Sequence, residues 1–191
     1  MKKSEKTREA ILESATALLL QNGGDAETVT IREIAGRARL SVGLVNHYFS
    51  TKQHLIEECV QRIIGGVIDA FRPETADEAP CVVRVGDTAV RVMDFLMENQ
   101  SISRVSILSD MREPDARDNT ARSFRGFASV AGLGAPDARR LVQAYCLCAV
   151  MQSAFLRKDT LKATPGVDFN DKNERDAFLR QVVASLFAGE E

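Results

Sequence analysis

The chain has 191 residues, 45% of them apolar and 27% charged, with a formal net charge of −2. That composition supplies a buried core and argues against disorder, while the near-neutral balance excludes a protein that coats nucleic acid by charge alone. No apolar run reaches the roughly 18 residues that span a bilayer; the nearest, Ala144 to Leu156, is interrupted by Gln152 and Ser153, and the opening MKKSEKTREA lacks the apolar core of a signal peptide.

Charge is unevenly distributed. Residues 1 to 55 carry eight Lys or Arg against six Asp or Glu, and the remainder carries 17 against 21. The sign favours a front that faces nucleic acid and a back that does not. The four cysteines, Cys59, Cys81, Cys146 and Cys148, show no C-x-x-C spacing and read as small apolar core residues with free thiols. A cytoplasmic protein is expected.

In chain order, Lys2, Lys3 and Lys6 form a basic arm suited to phosphate contact. Thr7 to Gln21 then predicts a helix with Ala10, Ile11, Ala15, Leu18 and Leu19 as its stripe, ended by Asn22-Gly23-Gly24. The next stretch, TIREIAGRARLSVGLVNHYFSTKQHL from Thr30 to Leu55, organises the chain. Thr30 and Glu33 have the spacing of a capping box, and Ile31, Ile34, Ala35 and Ala38 recur with helical period. Arg39-Leu40-Ser41 is the turn, Ser41 can cap a short helix from Val42 to Phe49, and Ser50 to Gln53 offers a second capping box. Two short helices about a tight turn form a helix-turn-helix, whose second helix enters the DNA major groove.

The order IREIA, RARLSVG, NHYFSTK and HL resembles the N-terminal domain of the TetR family of bacterial transcription regulators. Thr30, Ile31, Ile34-Ala35, Ser41-x-Gly43, Tyr48-Phe49 and Lys52 stand in register with the family pattern. The resemblance covers about the first quarter of the chain and departs at two points that matter. Arg39 stands where the family usually has glycine, so a reshaped turn is expected, with Arg39 recruited to a phosphate. Asn46 stands where tyrosine is frequent, which changes what the recognition helix reads, and Gly36 is also unusual. The resemblance further implies that Tyr48 and Lys52, with Thr30 and Ser41, hold the phosphate backbone.

Beyond the motif, one helix is expected from Lys52 to Phe71, with a wide apolar band and Gly65-Gly66 at its middle. Its front closes the DNA-binding core and its back enters the next domain, the position of a lever. An acidic linker from Arg72 to Pro80 follows. Further helices are expected at Cys81 to Asn99, Ile102 to Arg112, Pro114 to Ala131, Pro136 to Lys158 and Asn173 to Ala188, with the break Gly132-Leu133-Gly134 and a loop through Pro165-Gly166. The fold class is all-α with about nine helices: residues 1–51 as the DNA-binding domain and 52–191 as a helical domain for ligand binding and dimerisation.

Candidates for base-edge proximity are Val42, Gly43, Leu44, Asn46 and His47, with Arg32 in the preceding helix able to reach a base or a phosphate. Asn46 suits adenine, and His47 a guanine acceptor or a phosphate. Catalysis has little to work with. Both histidines, His47 and His54, lie in or beside the motif, and there is no nucleophile elbow, no phosphate-cradling loop and no metal-ligand cluster. No cofactor, metal or membrane partner is expected, and Asp77-Glu78 and Glu190-Glu191 read as solvated pairs.

Met93, Phe95, Leu96, Met97, Met111, Phe124, Phe127, Tyr145, Met151 and Phe155 are candidates to line an adaptable apolar pocket. The resemblance implies an inducer there, a small apolar or amphipathic effector, in a repressor of a palindromic operator. A protein partner at the same domain is the alternative. The last two helices are apolar over much of their circumference. Leu141, Val142, Phe178, Leu179, Val182, Val183, Leu186 and Phe187 are therefore expected at a homodimer interface of four helices.

Overall fold

The computed structural model describes residues 3–70, 79–132 and 136–189. Lys2, Phe71, most of the acidic linker (72–78), Leu133-Gly134 and the pairs Asp77-Glu78 and Glu190-Glu191 lie outside the described residues. Among the described residues there are nine helices and no strand: α1 (Lys3–Gln21), α2 (Ile31–Ala38), α3 (Val42–Tyr48), α4 (Lys52–Ala70), α5 (Cys81–Glu98), α6 (Gln100–Arg112), α7 (Asn119–Ala131), α8 (Ala138–Leu156) and α9 (Lys172–Phe187). No helix is long and apolar enough to cross a membrane among these residues.

α7 and α8 start later than the sequence reading placed them, and α4 starts where it was read but with a different cap; in each case a short polar side chain takes the cap. α7 begins at Asn119 and not at Pro114. Asp118 accepts from the Ala121 amide at 2.7 Å and from the Asp115 amide at 3.0 Å, while Asp115 accepts from the Arg117 amide at 2.8 Å. Those bonds hold Pro114 to Arg117 in turns that compete with helix. Pro136 likewise stays outside α8, because Asp137 caps the amide of Arg140 at 2.8 Å. At α4 the cap is Thr51, which accepts from the His54 amide at 3.0 Å. Gln53, expected in a capping box with Ser50, instead donates to Glu57 at 2.9 Å.

The chain divides into two compact units. The first comprises Met1–Asp69 and Asn99–Pro114, so α6 joins α1 to α4 across a gap in sequence. Its core holds Ile11, Leu12, Leu19, Val29, Ile34, Val45, Phe49, Leu55, Val60 and Ile102, all 4% exposed or less. Leu12 extends the α1 stripe beyond the positions that periodicity picked out. The boundary read from sequence at 51/52 falls inside this unit, whose core α4 completes.

α6 is docked at three places. Ile102 packs so closely on Gly24, where φ is +82°, that a Cβ there would meet Ile102 at 2.9 Å. Gln61 donates to Asp110 at 2.6 Å, and Arg112 donates to Glu57 at 2.7 Å. Burial alone would raise the Glu57 carboxyl, but the bonds from Arg112 and Gln53 outweigh it and hold the pKa below the usual range.

The second unit comprises Ala70–Glu98 and Asp115–Glu191. α5 packs against α7 and α9, and α8 against α7 and α9. Met93, Leu147, Phe169, Leu179, Val183 and Phe187 are fully buried. At the start of α9, Asp94 of α5 receives Lys172 at 2.7 Å and Arg175 at 2.8 Å. Arg175 is itself buried and donates to the Phe169 carbonyl at 3.1 Å.

Candidate nucleic-acid interface

The interface candidates sit on a frame of local hydrogen bonds. Thr30 is extended at the head of α2, and its hydroxyl accepts from the Glu33 amide at 3.2 Å. Glu33 closes the box by accepting from the Thr30 amide at 2.9 Å and from the Thr30 hydroxyl at 2.7 Å. The Thr30 hydroxyl bond, then the amide bond, hold the Glu33 carboxyl below its ordinary pKa.

α2 ends in the paired bonds of a Schellman motif, with the Leu40 amide donating to the Ala35 carbonyl at 2.9 Å and the Arg39 amide to Gly36 at 3.2 Å. That motif needs a left-handed residue, and Arg39 is it, at φ 55° and ψ 42°. The expected reshaping of the turn does not occur. The left-handed turn is kept, with arginine in it.

Ser41 then caps α3, accepting from the Leu44 amide at 3.2 Å. Helical spacing of about 100° per residue places Val42, Gly43, Asn46 and His47 within an arc of about 140°, and all four are exposed. Val45 in the helix and Phe49 at its C-cap are buried. Leu44 and Tyr48, on the side away from that arc, are half-buried. α3 therefore turns one exposed arc outward while Val45 and Phe49 pin it to the core.

The phosphate candidates are placed around that arc. Thr30, Arg32, Arg39 and Ser41 are exposed, and Lys52 is half-buried with its Nζ 3.4 Å from the Glu27 carbonyl. The Tyr48 hydroxyl donates to the Ser4 hydroxyl at 3.2 Å, which ties the start of α1 to the end of α3. Of the basic arm, Lys6 is exposed on the first turns of α1.

Several supports of this frame went unseen in the sequence. Arg8 stacks over the Phe49 ring at 4.9 Å and pairs with Glu58, which His54 also approaches at 3.2 Å. Arg62 pairs with Glu9. Apart from the His54–Glu58 pair, these partners are separated by 41 to 53 residues, and no local pattern announces them.

The second unit distributes its candidates differently. Met93, Phe127, Met151 and Phe155 are buried, and Leu96, Met97 and Phe124 are half-buried. Tyr145 is 56% exposed, with its ring edge-on to Phe124 at 5.9 Å. Met111 stands apart, on α6 in the first unit and 51% exposed. Among the dimer candidates Val142 is 62% exposed, while Leu141, Phe178, Val182 and Leu186 are half-buried. Leu179, Val183 and Phe187 have no exposed surface, so they build the core of their own unit and present nothing to a partner.

Residues 11–59, which include the whole frame from Thr30 to Lys52, match the family described as bacterial regulatory proteins, tetR family. That match covers about a quarter of the chain and shows a domain of this family's DNA-binding type, with its helix-turn-helix, at the N-terminal end. Solved structures of similar fold extend over the whole chain. A TetR transcriptional regulator from Rhodococcus sp. RHA1 is 18% identical, with a TM-score of 0.65 and all of both chains covered. A tetR-family regulator from Streptomyces coelicolor is 23% identical at TM-score 0.55, covering 97% of this chain and 80% of the other. Salmonella enterica GusR is 18% identical at TM-score 0.52, covering 98% of each. At such identities the likeness is one of fold. No curated protein matches the chain.

Proposed function

We propose that the chain is a TetR-type transcription regulator that binds a palindromic operator as a homodimer, acts as a repressor without catalytic chemistry, and is released by a small apolar or amphipathic effector. The observation that carries the DNA-reading part is the outward arc of Val42, Gly43, Asn46 and His47, held by caps on both sides of the turn. Gly43 supports it further. A Cβ at that position would meet nothing within 4 Å inside the protein, so internal packing does not require glycine there. Glycine costs about 1 kcal/mol relative to alanine within a helix, and close approach of the α3 backbone to base edges gives that cost a purpose. Asn46 has the donor and acceptor to take adenine, and Lys52 with Tyr48 flanks the arc for phosphate.

Residues 1–51 serve as the DNA-binding part in this reading, and 52–191 as the part for effector and dimer. The exposed Val142 and Tyr145 on α8, with the half-buried Leu141, Phe178, Val182 and Leu186, support a self-association face. The buried Met93, Met151, Phe127 and Phe155 supply flexible apolar walls for an effector. The effector releases DNA to the extent that it binds better to an arrangement in which the two α3 helices no longer match half-sites about 34–36 Å apart.

The test is binding of the purified protein to duplexes from the region around its own gene at low ionic strength, with sedimentation on the same sample. Saturable binding by a dimer is expected. A monomer at micromolar concentration discards the dimer, and indifference to every such duplex discards the reading as a whole.

A further inference from the structure

Arg39 is the single non-glycine residue at positive φ among the described residues. For a residue with a Cβ, that conformation carries a steric penalty that glycine escapes and asparagine largely avoids. The turn had three ways to avoid it: another backbone geometry, a glycine, or an asparagine. The structure keeps the left-handed geometry, with both Schellman bonds formed, and keeps arginine in it.

Those bonds would form equally with glycine, and no side-chain contact of Arg39 among the described residues compensates. Arg39 is exposed, and no hydrogen bond or ion pair to its guanidinium is present among the described residues. Arg37, two residues earlier, differs: it donates to Gln21 at 3.3 Å. Arg37 also already sits in the last turn of α2, where a cation complements the helix dipole, so that interaction does not require a second arginine at a strained position.

We infer that Arg39 is a DNA-phosphate anchor, held in a strained turn immediately ahead of the recognition helix and fixing how α3 is presented to the groove. The inference rests on the DNA-binding reading above and adds a contact made by arginine at the turn. Arginine suits the role because its planar fork takes a phosphate through two parallel bonds. Backbone strain at an exposed position persists where function requires the residue. Because the contact is to phosphate, it acts on every DNA sequence alike and sets register without reading bases.

The test compares wild type with Arg39→Gly, Arg39→Asn and Arg39→Lys, measuring melting temperature and affinity for a mixed-sequence duplex across a salt series. Arg39→Gly and Arg39→Asn are expected to melt at or above the wild-type temperature, by about 2–4 °C for a chain of this size. Both are expected to bind about 3- to 10-fold more weakly, with the salt slope reduced by about 1. Arg39→Lys is expected to restore the slope and to melt like wild type. Unchanged affinity and slope in Arg39→Gly and Arg39→Asn, beside a wild type that binds, overturns the anchor and leaves the DNA-binding reading intact. Lower melting in both variants overturns it as well, because it makes Arg39 a structural residue. A wild type that binds no duplex at low salt removes the DNA-binding reading beneath it.

Discussion

The segment from Thr30 to Tyr48 and the pair α8–α9 acquire their geometry by different means. In the first, a capping box, a second N-cap and a Schellman turn fix direction through bonds between residues no more than five apart. In the second, orientation is decided by what the helix faces. Leu179, Val183 and Phe187 share one side of α9 and are wholly buried, while Val142 and Tyr145 on α8 remain outside. The contrast separates two kinds of information. Local hydrogen bonds determine which way a side chain points before any partner arrives, so a reading surface can be inferred from spacing. A long apolar helix determines only that it needs partners.

The sharpest way to break this comparison is Phe187→Ala. A core position should cost about 3–5 kcal/mol in urea unfolding, whereas a residue serving only self-association would leave the unfolding of dilute protein nearly unchanged. Next in size is Asn46→Ala, expected to lose about 1–3 kcal/mol on cognate DNA and to relax sequence preference, with melting unaffected since the side chain is exposed. Equal losses on cognate and unrelated duplexes would make Asn46 a phosphate contact.

Thr30→Ala removes a local determinant and should cost about 1 kcal/mol of stability. An unfolding curve indistinguishable from wild type would show that packing of α2, and not its cap, sets the direction of the helix.

Acid probes the long-range pairs. Glu57 with Arg112 in the first unit and Asp94 with Lys172 and Arg175 in the second both have carboxyl pKa values below normal, since those bonds outweigh burial. A depressed folded-state pKa means that the stabilisation is complete above the unfolded value, about 4, and is lost as pH falls through the folded value. Urea midpoints should hold from neutrality to about pH 5 and drop below it; a midpoint that rises on acidification contradicts these pairs. The smallest effect concerns Cys148, whose thiol burial pushes up to about 12. It should resist iodoacetamide in the native protein and react once unfolded, which mass spectrometry resolves.

The sequence made the helix-turn-helix legible almost to the atom. The Thr30–Glu33 box and the Ser41 cap are present as their spacing implied, and the number and class of the helices followed from periodicity. Helix starts were less legible. Pro114 and Pro136 both favour first helical positions, but Asp118 and Asp137 lay a few residues on and took the caps. Asp at the cap outweighs Pro at the first turn because it satisfies an amide that would otherwise lack a partner. The bonds Tyr48–Ser4 and Gln61–Asp110 span 44 and 49 residues, and nothing in local spacing encodes such pairings. For α9 the periodicity identified an apolar stripe without saying whether its own unit or a second copy would cover it.

The membership of α6 in the first unit has a consequence for how the molecule is made. The backbone leaves that unit near Asp69 and re-enters at Asn99 before departing again at Pro114. A nascent chain that has exposed only its first 70 residues carries the whole of α3 and still lacks Ile102 and Ile107, along with the partners of Gln61 and Glu57. Maturation of the helix-turn-helix unit must therefore wait until more than half of the polypeptide has been synthesised, and an early-terminated product would present α3 on an unfinished foundation.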